Sequence, residues 1–263
     1  MPEPLALRSA GKDVRIHLTP LDRVPPETRQ AYVGLLDPAE ASRHDRFKVE
    51  GARLEFLVGR ALLRLRLTAC RPEIAPTDWR FTSNAYGRPA IDWPSTGAEA
   101  SPLFFNLSHT RGLVALAVAA CEDIGVDVET IARGAPDADV ARRYFTATEA
   151  DWIDDAQELS ERTERFFALW TLKEAYIKAR GMGLALPLDG FGFDCSRRPP
   201  EIAFTQKIDD HASRWRLERR CIGDGHRLAL AVPSALKASR YFETIPLVAG
   251  PREIRPRVCE AFA

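Results

Sequence analysis

Apolar residues along this chain recur in two rhythms, one near 3.6 residues and one of two, and their order predicts the secondary structure. VRIHL (14–18) alternates and predicts a strand. Asp37-Pro38, with Glu40 at the third helical position, offers an N-cap followed by proline, so a helix is expected to run to about Phe47. Across GARLEFLVGRALLRLRL (51–67), Leu54, Leu57, Val58, Ala61 and Leu65 make one helical face. RPEIAPTDW interrupts that pattern, and FTSNAYGRPAI then predicts strand, turn and strand. LFFNLSHTRGLVALAVA (103–119) carries two apolar runs around a polar turn, a hairpin, and IGVDVE (124–129) predicts a further strand.

RGAPDAD predicts a loop, after which Thr146 and Glu149 match a capping box that opens a helix to about Leu159. A second amphipathic helix follows, FFALWTLKEAYIKARGMG, with Phe166, Leu169, Trp170 and Ile177 as its buried stripe and the glycines at 181 and 183 as its end. Its other side carries Thr171, Glu174 and Lys178. Taken alone, the acid four residues ahead of the lysine is a helix ion pair worth about 0.2–0.5 kcal/mol. FGFD, EIAF, WRLERRCI, RLALAV and YFETI make the remainder strand-rich.

An internal echo crosses this order. RLEFLVGRALLR beginning at Arg53 resembles RFFALWTLKEAY beginning at Arg165, an offset of 112, and LVALAV ending at Val118 resembles RLALAV ending at Val232, an offset of 114. Two similar offsets of nearly half the chain predict an α+β fold of two similar halves, residues 1–122 and 123–263, each a long helix on a small, mostly antiparallel sheet. A pseudo-twofold relation between the halves would place a ligand cleft between them.

Composition narrows the partners. Lys plus Arg and Asp plus Glu each number 37, so no net field favours nucleic acid or an anionic membrane, and any anion site must be local. The start, MPEPLALRSAGKDVRIHL, lacks an apolar core of secretory length, and no later stretch approaches the roughly 18 apolar residues of a membrane span, which predicts a cytoplasmic protein. Cysteines at 70, 121, 195, 221 and 259 are odd in number and form no closely spaced pair, so reduced thiols are expected rather than a disulfide framework or a metal clip.

The candidate chemistry begins in GVDVE, where strand alternation projects Asp127 and Glu129 from one face. Two solvated acids on an exposed strand give the same pattern. If Glu174 reaches the same point, three carboxylates make a hard oxygen set suited to Mg²⁺ or Mn²⁺ rather than zinc, with a pyrophosphate as the matching guest. Ser108-His109 is expected in the hairpin turn, where side chains and free N–H groups face a ligand or simply face solvent.

FNLSHT, GVDVE and WTLKEAYIKARGMGL, in this order and spacing, resemble the 4′-phosphopantetheinyl transferase superfamily of the Sfp type, and the likeness extends upstream to RFKVEGARLEFLVGRALLR and YGRPAI, about residues 40 to 185 in all. The resemblance implies two α+β halves with coenzyme A in the cleft, Mg²⁺ held by Asp127, Glu129 and Glu174, and Lys178 facing the phosphates and the reacting group. It places Ser108, His109 and Arg88 on coenzyme A, and Arg43 and Arg53 on its 3′-phosphate. Three positions before Arg43 the family often has a second basic residue, and this chain has Glu40.

The activity so implied moves the phosphopantetheine arm onto a serine of an apo acyl or peptidyl carrier protein, as in secondary metabolite biosynthesis, with Glu174 taking the serine proton and Lys178 and His109 assisting. Two other readings share the same acids: a Mg²⁺-dependent phosphohydrolase of a nucleotide diphosphate, and a non-catalytic coenzyme A-binding module. A monomer is expected. ARRYF (141–145) offers either a carrier-docking patch or core residues ahead of the capping box.

Overall fold

The fold comes from a computed structural model that describes residues 12–136, 138–260 and 262; the N-terminal stretch read above for a secretory core lies outside them up to residue 11. The chain forms a mixed α+β structure of two compact units. One takes in the described residues up to Asn84, Pro89–Glu122 and Lys237–Arg255, and the other Ala85–Arg88, Asp123–Leu236 and the described residues from Pro256 on.

The first unit contains β1 (Asp13–Pro20), α1 (Arg29–Val33), α2 (Pro38–Asp45), α3 (Glu50–Cys70), β2 (Phe81–Ser83), β3 (Pro89–Ile91), α4 (Trp93–Thr96), β4 (Phe104–Thr110) and β5 (Leu113–Ala119). The second contains β6 (Gly125–Thr130), α5 (Ala138–Tyr144), α6 (Ala147–Asp154), α7 (Leu159–Arg180), β7 (Phe191–Asp194), β8 (Glu201–Phe204), β9 (Trp215–Ile222) and β10 (His226–Pro233). The chain then returns to the first sheet with β11 (Ala238–Ile245) and β12 (Ala249–Ile254), and ends with β13 (Arg257–Val258) on the second.

The first sheet has the order β12-β11-β1-β5-β4, in which β1 and β11 run parallel and the other neighbours antiparallel. The second, β13-β9-β10-β6, is antiparallel throughout. Each unit runs in the same sequence of parts: a strand, a long helix, then a hairpin whose second strand pairs with the first strand. These parts are β1, α3 and β4–β5 in one unit, and β6, α7 and β9–β10 in the other.

Apolar periodicity decides what each helix buries. Leu57, Val58, Ala61 and Leu62 of α3 pack with Val114, Leu116 and Val118 of β5 and with Trp79 and Tyr32. Each fully buried leucine contributes about 1.5–3 kcal/mol relative to exposure. The stripe is wider than the predicted one: Phe56, Leu62, Leu63 and Leu67 are buried as well, whereas Leu54 and Leu65 are half-buried. On α7, Phe166, Leu169 and Ile177 are buried as predicted, while Trp170 is half-buried. Two helix boundaries differ from the sequence reading. α6 stops at Asp154, and α7 begins at Leu159, seven residues before Phe166.

The same device fastens a short helix to the long one in both units. Asp37 accepts from the Glu40 N–H and Glu40 accepts from the Asp37 N–H, closing the predicted cap of α2, and Arg64 of α3 then lies on Glu40 at 2.6 Å. Arg64 is fully buried and also donates to the carbonyls of Pro76 and Trp79. In the second unit Thr146 and Glu149 cap α6 in the same reciprocal way, and Lys173 of α7 lies 2.9 Å from Glu149 while donating to the carbonyls of Leu188 and Phe191. Cap acid and helix cation stand 24 residues apart in both cases. Glu40, found where the family often has a base, is thus a structural acid.

Candidate active site

Gly125 opens β6 and sets the distance from strand to helix. A Cβ there would strike the carbonyl of Ala175 and the N–H of Ala179, so only glycine lets the α7 backbone lie directly on the strand. Two residues further, Asp127 faces α7. Its directly opposite partner on β10 is Ala229, a member of the core around α7, and opposite residues of an antiparallel pair share a face.

Asp127 is buried, and its Oδ1 accepts from Lys178 Nζ at 2.7 Å. The Glu174–Lys178 pair read from the helix is therefore outweighed by a bond to a strand 51 residues earlier. Glu129 is half-buried; its Oε1 accepts from Trp170 Nε1 at 3.2 Å and lies 3.2 Å from an Arg133 nitrogen. Burial first, and then the charge of Asp127, hold the Glu174 carboxyl above its ordinary pKa; Lys178 opposes this and Glu129 adds to it. Asp127 and Glu129 thus both act on Glu174.

The donor set suits a hard divalent cation: Asp127 and Glu129 raise the proton affinity of Glu174, and positive charge would relieve it. Among the described residues no three acidic, histidine or cysteine side chains stand ready-made around one point, and Lys178 bonds one of the carboxylates. Arg88, also in the second unit, donates to the Ala179 carbonyl at 3.1 Å, one residue past Lys178.

The remaining candidates lie in the first unit. Ser108 and His109 are strand residues, which corrects their expected place in the turn. β4 continues to Thr110, and Arg111-Gly112, with Gly112 at φ 89°, makes the turn. Strand alternation buries Ser108 and exposes His109, whose Nδ1 lies 3.1 Å from Glu55 Oε2 on α3. Arg43 on α2 is exposed and lies over the Phe56 ring at 5.1 Å. Arg53 on α3 is half-buried and donates to the Phe47 carbonyl at 2.6 Å.

Lys173, inside the same WTLKEAYIK stretch, was assigned no role from sequence. Its burial against Glu149 was signalled only by the capping box that Glu149 completes. In ARRYF, Ala141 and Phe145 are core, Tyr144 meets the Trp170 ring edge-on, and Arg142 pairs with Asp154 at 2.7 Å.

Two units share one strand-helix-hairpin order, and in the second of them acids and a lysine lie where its first strand meets its long helix. Residues 123–231 match the model of the 4′-phosphopantetheinyl transferase superfamily. The chain is 31% identical to the 4′-phosphopantetheinyl transferase HetI of Nostoc sp. over 185 residues, which cover 70% of this chain and 76% of that protein. It is 31% identical to the 4′-phosphopantetheinyl transferase Sfp of Bacillus subtilis, covering 63% of this chain and 69% of that one. With the L-aminoadipate-semialdehyde dehydrogenase-phosphopantetheinyl transferase of Xenopus laevis it shares 28% identity over 75% of this chain and 67% of the other. The chain belongs to the 4′-phosphopantetheinyl transferase superfamily.

Proposed function

We propose that the protein transfers the 4′-phosphopantetheine group of coenzyme A to a serine of an apo acyl or peptidyl carrier protein and releases adenosine 3′,5′-bisphosphate. The observation that carries this reading is the meeting of Asp127, Glu129, Glu174 and Lys178 on β6 and α7 in a chain of this family. Mg²⁺, or Mn²⁺ in its place, would be held by Asp127, Glu129 and Glu174, and when bound it supplies positive charge to the pyrophosphate. Lys178, bonded to Asp127 Oδ1, would have to share that carboxylate for Asp127 to hold the ion.

The carrier serine Oγ forms a bond to the phosphorus that bears the pantetheine. The bond from that phosphorus to the bridging oxygen breaks, and its electron pair leaves with adenosine 3′,5′-bisphosphate. Glu174 accepts the serine proton, and Lys178 neutralises charge that grows on the phosphate oxygens. Ser108, His109 and Arg88 bind the phosphates of coenzyme A, His109 also assisting the transfer, and Arg43 and Arg53 bind the 3′-phosphate. The recurring order of parts supports an internal duplication; we take the chain to work as a cytoplasmic monomer.

Intact mass measurement of apo carrier proteins incubated with this protein, coenzyme A and Mg²⁺ tests the reading. A gain of one phosphopantetheine group on a carrier is expected. Hydrolysis of coenzyme A at the same rate with and without carrier would instead make the protein a phosphohydrolase.

A further inference from the structure

The place that holds the acids in the second unit has a counterpart in the first, and it carries the opposite charge. Counting back 112 residues from Asp127, Glu129, Glu174 and Lys178 gives Arg15, His17, Leu62 and Arg66. Arg15 and His17 lie on β1 opposite Val118 and Leu116, two residues of the core around α3, and so face that helix. Both are buried.

Arg66 of α3 comes close enough to act on His17. The charges that act on Arg66 itself are those of Cys70 and Arg15, and burial keeps the Cys70 thiol protonated at neutral pH. Among the described residues Arg66 Nη2 reaches only the Leu65 carbonyl, at 3.5 Å, and Nη1 is buried with no hydrogen-bond partner. A buried guanidinium nitrogen left in this state is costly unless an anion meets it.

There is room for one. Arg66 lines a groove of about 260 Å³ together with Leu62 and Leu65 of α3, Thr244 of β11, the turn from Pro246 to Val248, and the start of β12 to Pro251. Leu247 and Val248 of that turn are among the exposed large apolar residues of the protein, and Thr244 bonds His17 Nδ1 at 2.9 Å. The groove thus has a cationic end at Arg66 and an aliphatic wall. Its volume lies just below the range of drug-sized sites.

We propose that this groove binds a small organic anion with a short aliphatic body, the headgroup meeting Arg66 and the chain lying on Leu65, Leu247 and Val248. A carboxylate and a phosphate both match the guanidinium fork, and inorganic anions lack the body that the wall receives.

Isothermal titration calorimetry of the full chain with hexanoate, hexyl phosphate, 1-hexanol and inorganic phosphate tests the proposal. At least one of the two amphiphilic anions is expected to bind about tenfold or more tightly than both 1-hexanol and inorganic phosphate, and the stronger of the two identifies the headgroup. Arg66→Gln, with its fold checked by circular dichroism, should weaken that anion about tenfold and leave 1-hexanol unchanged. Val248→Asp, a surface change that leaves Arg66 in place, should weaken the same anion by repulsion. Equal binding of 1-hexanol and the anions, unchanged binding by a folded Arg66→Gln, or no heat from either anion at millimolar concentration would overturn the proposal.

Discussion

In the first unit β1 turns Arg15 and His17 toward α3, where Arg66 stands; in the second, β6 turns Asp127 and Glu129 toward α7, where Glu174 and Lys178 stand. The strand, long helix and hairpin recur in one order, and so does the buried cation that ties a capped short helix to the long one. What differs is the charge set on the strand where it faces the helix. The parts that hold the fold are held in common, and the charged groups between strand and helix differ in sign.

The shared device predicts the largest effect. Lys173→Met leaves Glu149 buried without its cation, and Arg64→Met takes from Glu40 the nearer of its two cations, Arg60 Nε remaining at 3.4 Å; each should cost about 3–5 kcal/mol in urea unfolding. Glu149→Gln added to Lys173→Met should recover part of the loss. A cost at Lys173 far below that at Arg64 would break the comparison, since the two cations would then not be doing the same job.

The divergent place predicts the next. Glu174→Gln should lower turnover with coenzyme A and a carrier by about 10²–10³-fold, read from holo-carrier formation by mass. Leu62→Met, at the counterpart position of α3, should leave turnover within about twofold and change stability by less than about 1.5 kcal/mol. Lys178→Ala should depress kcat more than coenzyme A affinity; the reverse split would remove Lys178 from the reacting group.

The contact of helix and strand sharpens the comparison further. Gly125→Ala sets a methyl against the α7 backbone, which cannot yield locally, so a loss of about 1–3 kcal/mol is expected together with reduced turnover. At Gly59 of α3 the added methyl meets side chains alone among the atoms nearest it, a carbon of Leu107 at 3.2 Å and one of Val114 at 3.9 Å. That leucine can turn aside, and alanine gains about 1 kcal/mol of helix propensity, so Gly59→Ala should be close to neutral in the same unfolding measurement.

Both long helices, both capping boxes and the central hairpin were legible because each is written locally, in apolar spacing or in a cap three residues long. The first turns of α7 were not: SERTER carries no apolar period, and Leu159 is 74% exposed, so the pattern starts only at Phe166. α5 was hidden behind the Gly and Pro of RGAPDAD, its helical state depending on Ala141 reaching the core around α7. In the site, the three acids and Lys178 could be named, but the Lys178–Asp127 bond joins residues 51 apart and has no local signature. Ser108 and His109 fell in the strand because the turn takes only Arg111 and Gly112, the one residue there with a positive φ. The cationic counterpart in the first unit went unread, since Arg15, His17 and Arg66 are drawn together only by the packing of α3 on the sheet.

That counterpart gives the smallest and most specific prediction. His17 is held well below its ordinary pKa, by burial first and then by the charges of Arg66 and Arg15, while its ring stacks on Phe242 at 5.2 Å. The unfolded chain binds a proton at this histidine once pH falls below about 6.5, and the folded chain does not. Protons bound in excess by the unfolded state make stability rise with pH, so the His17 contribution is fully present above that value and is lost progressively as pH falls. One such group gives a slope of at most about 1.4 kcal/mol per pH unit. His17→Gln keeps an amide for Thr244 and should flatten the stability profile between about pH 5 and 6.5 relative to the unaltered protein, measured by urea unfolding at each pH. Parallel profiles for the two proteins would mean that His17 is protonated inside the fold, and the first unit would then hold more positive charge facing α3 than the comparison allows.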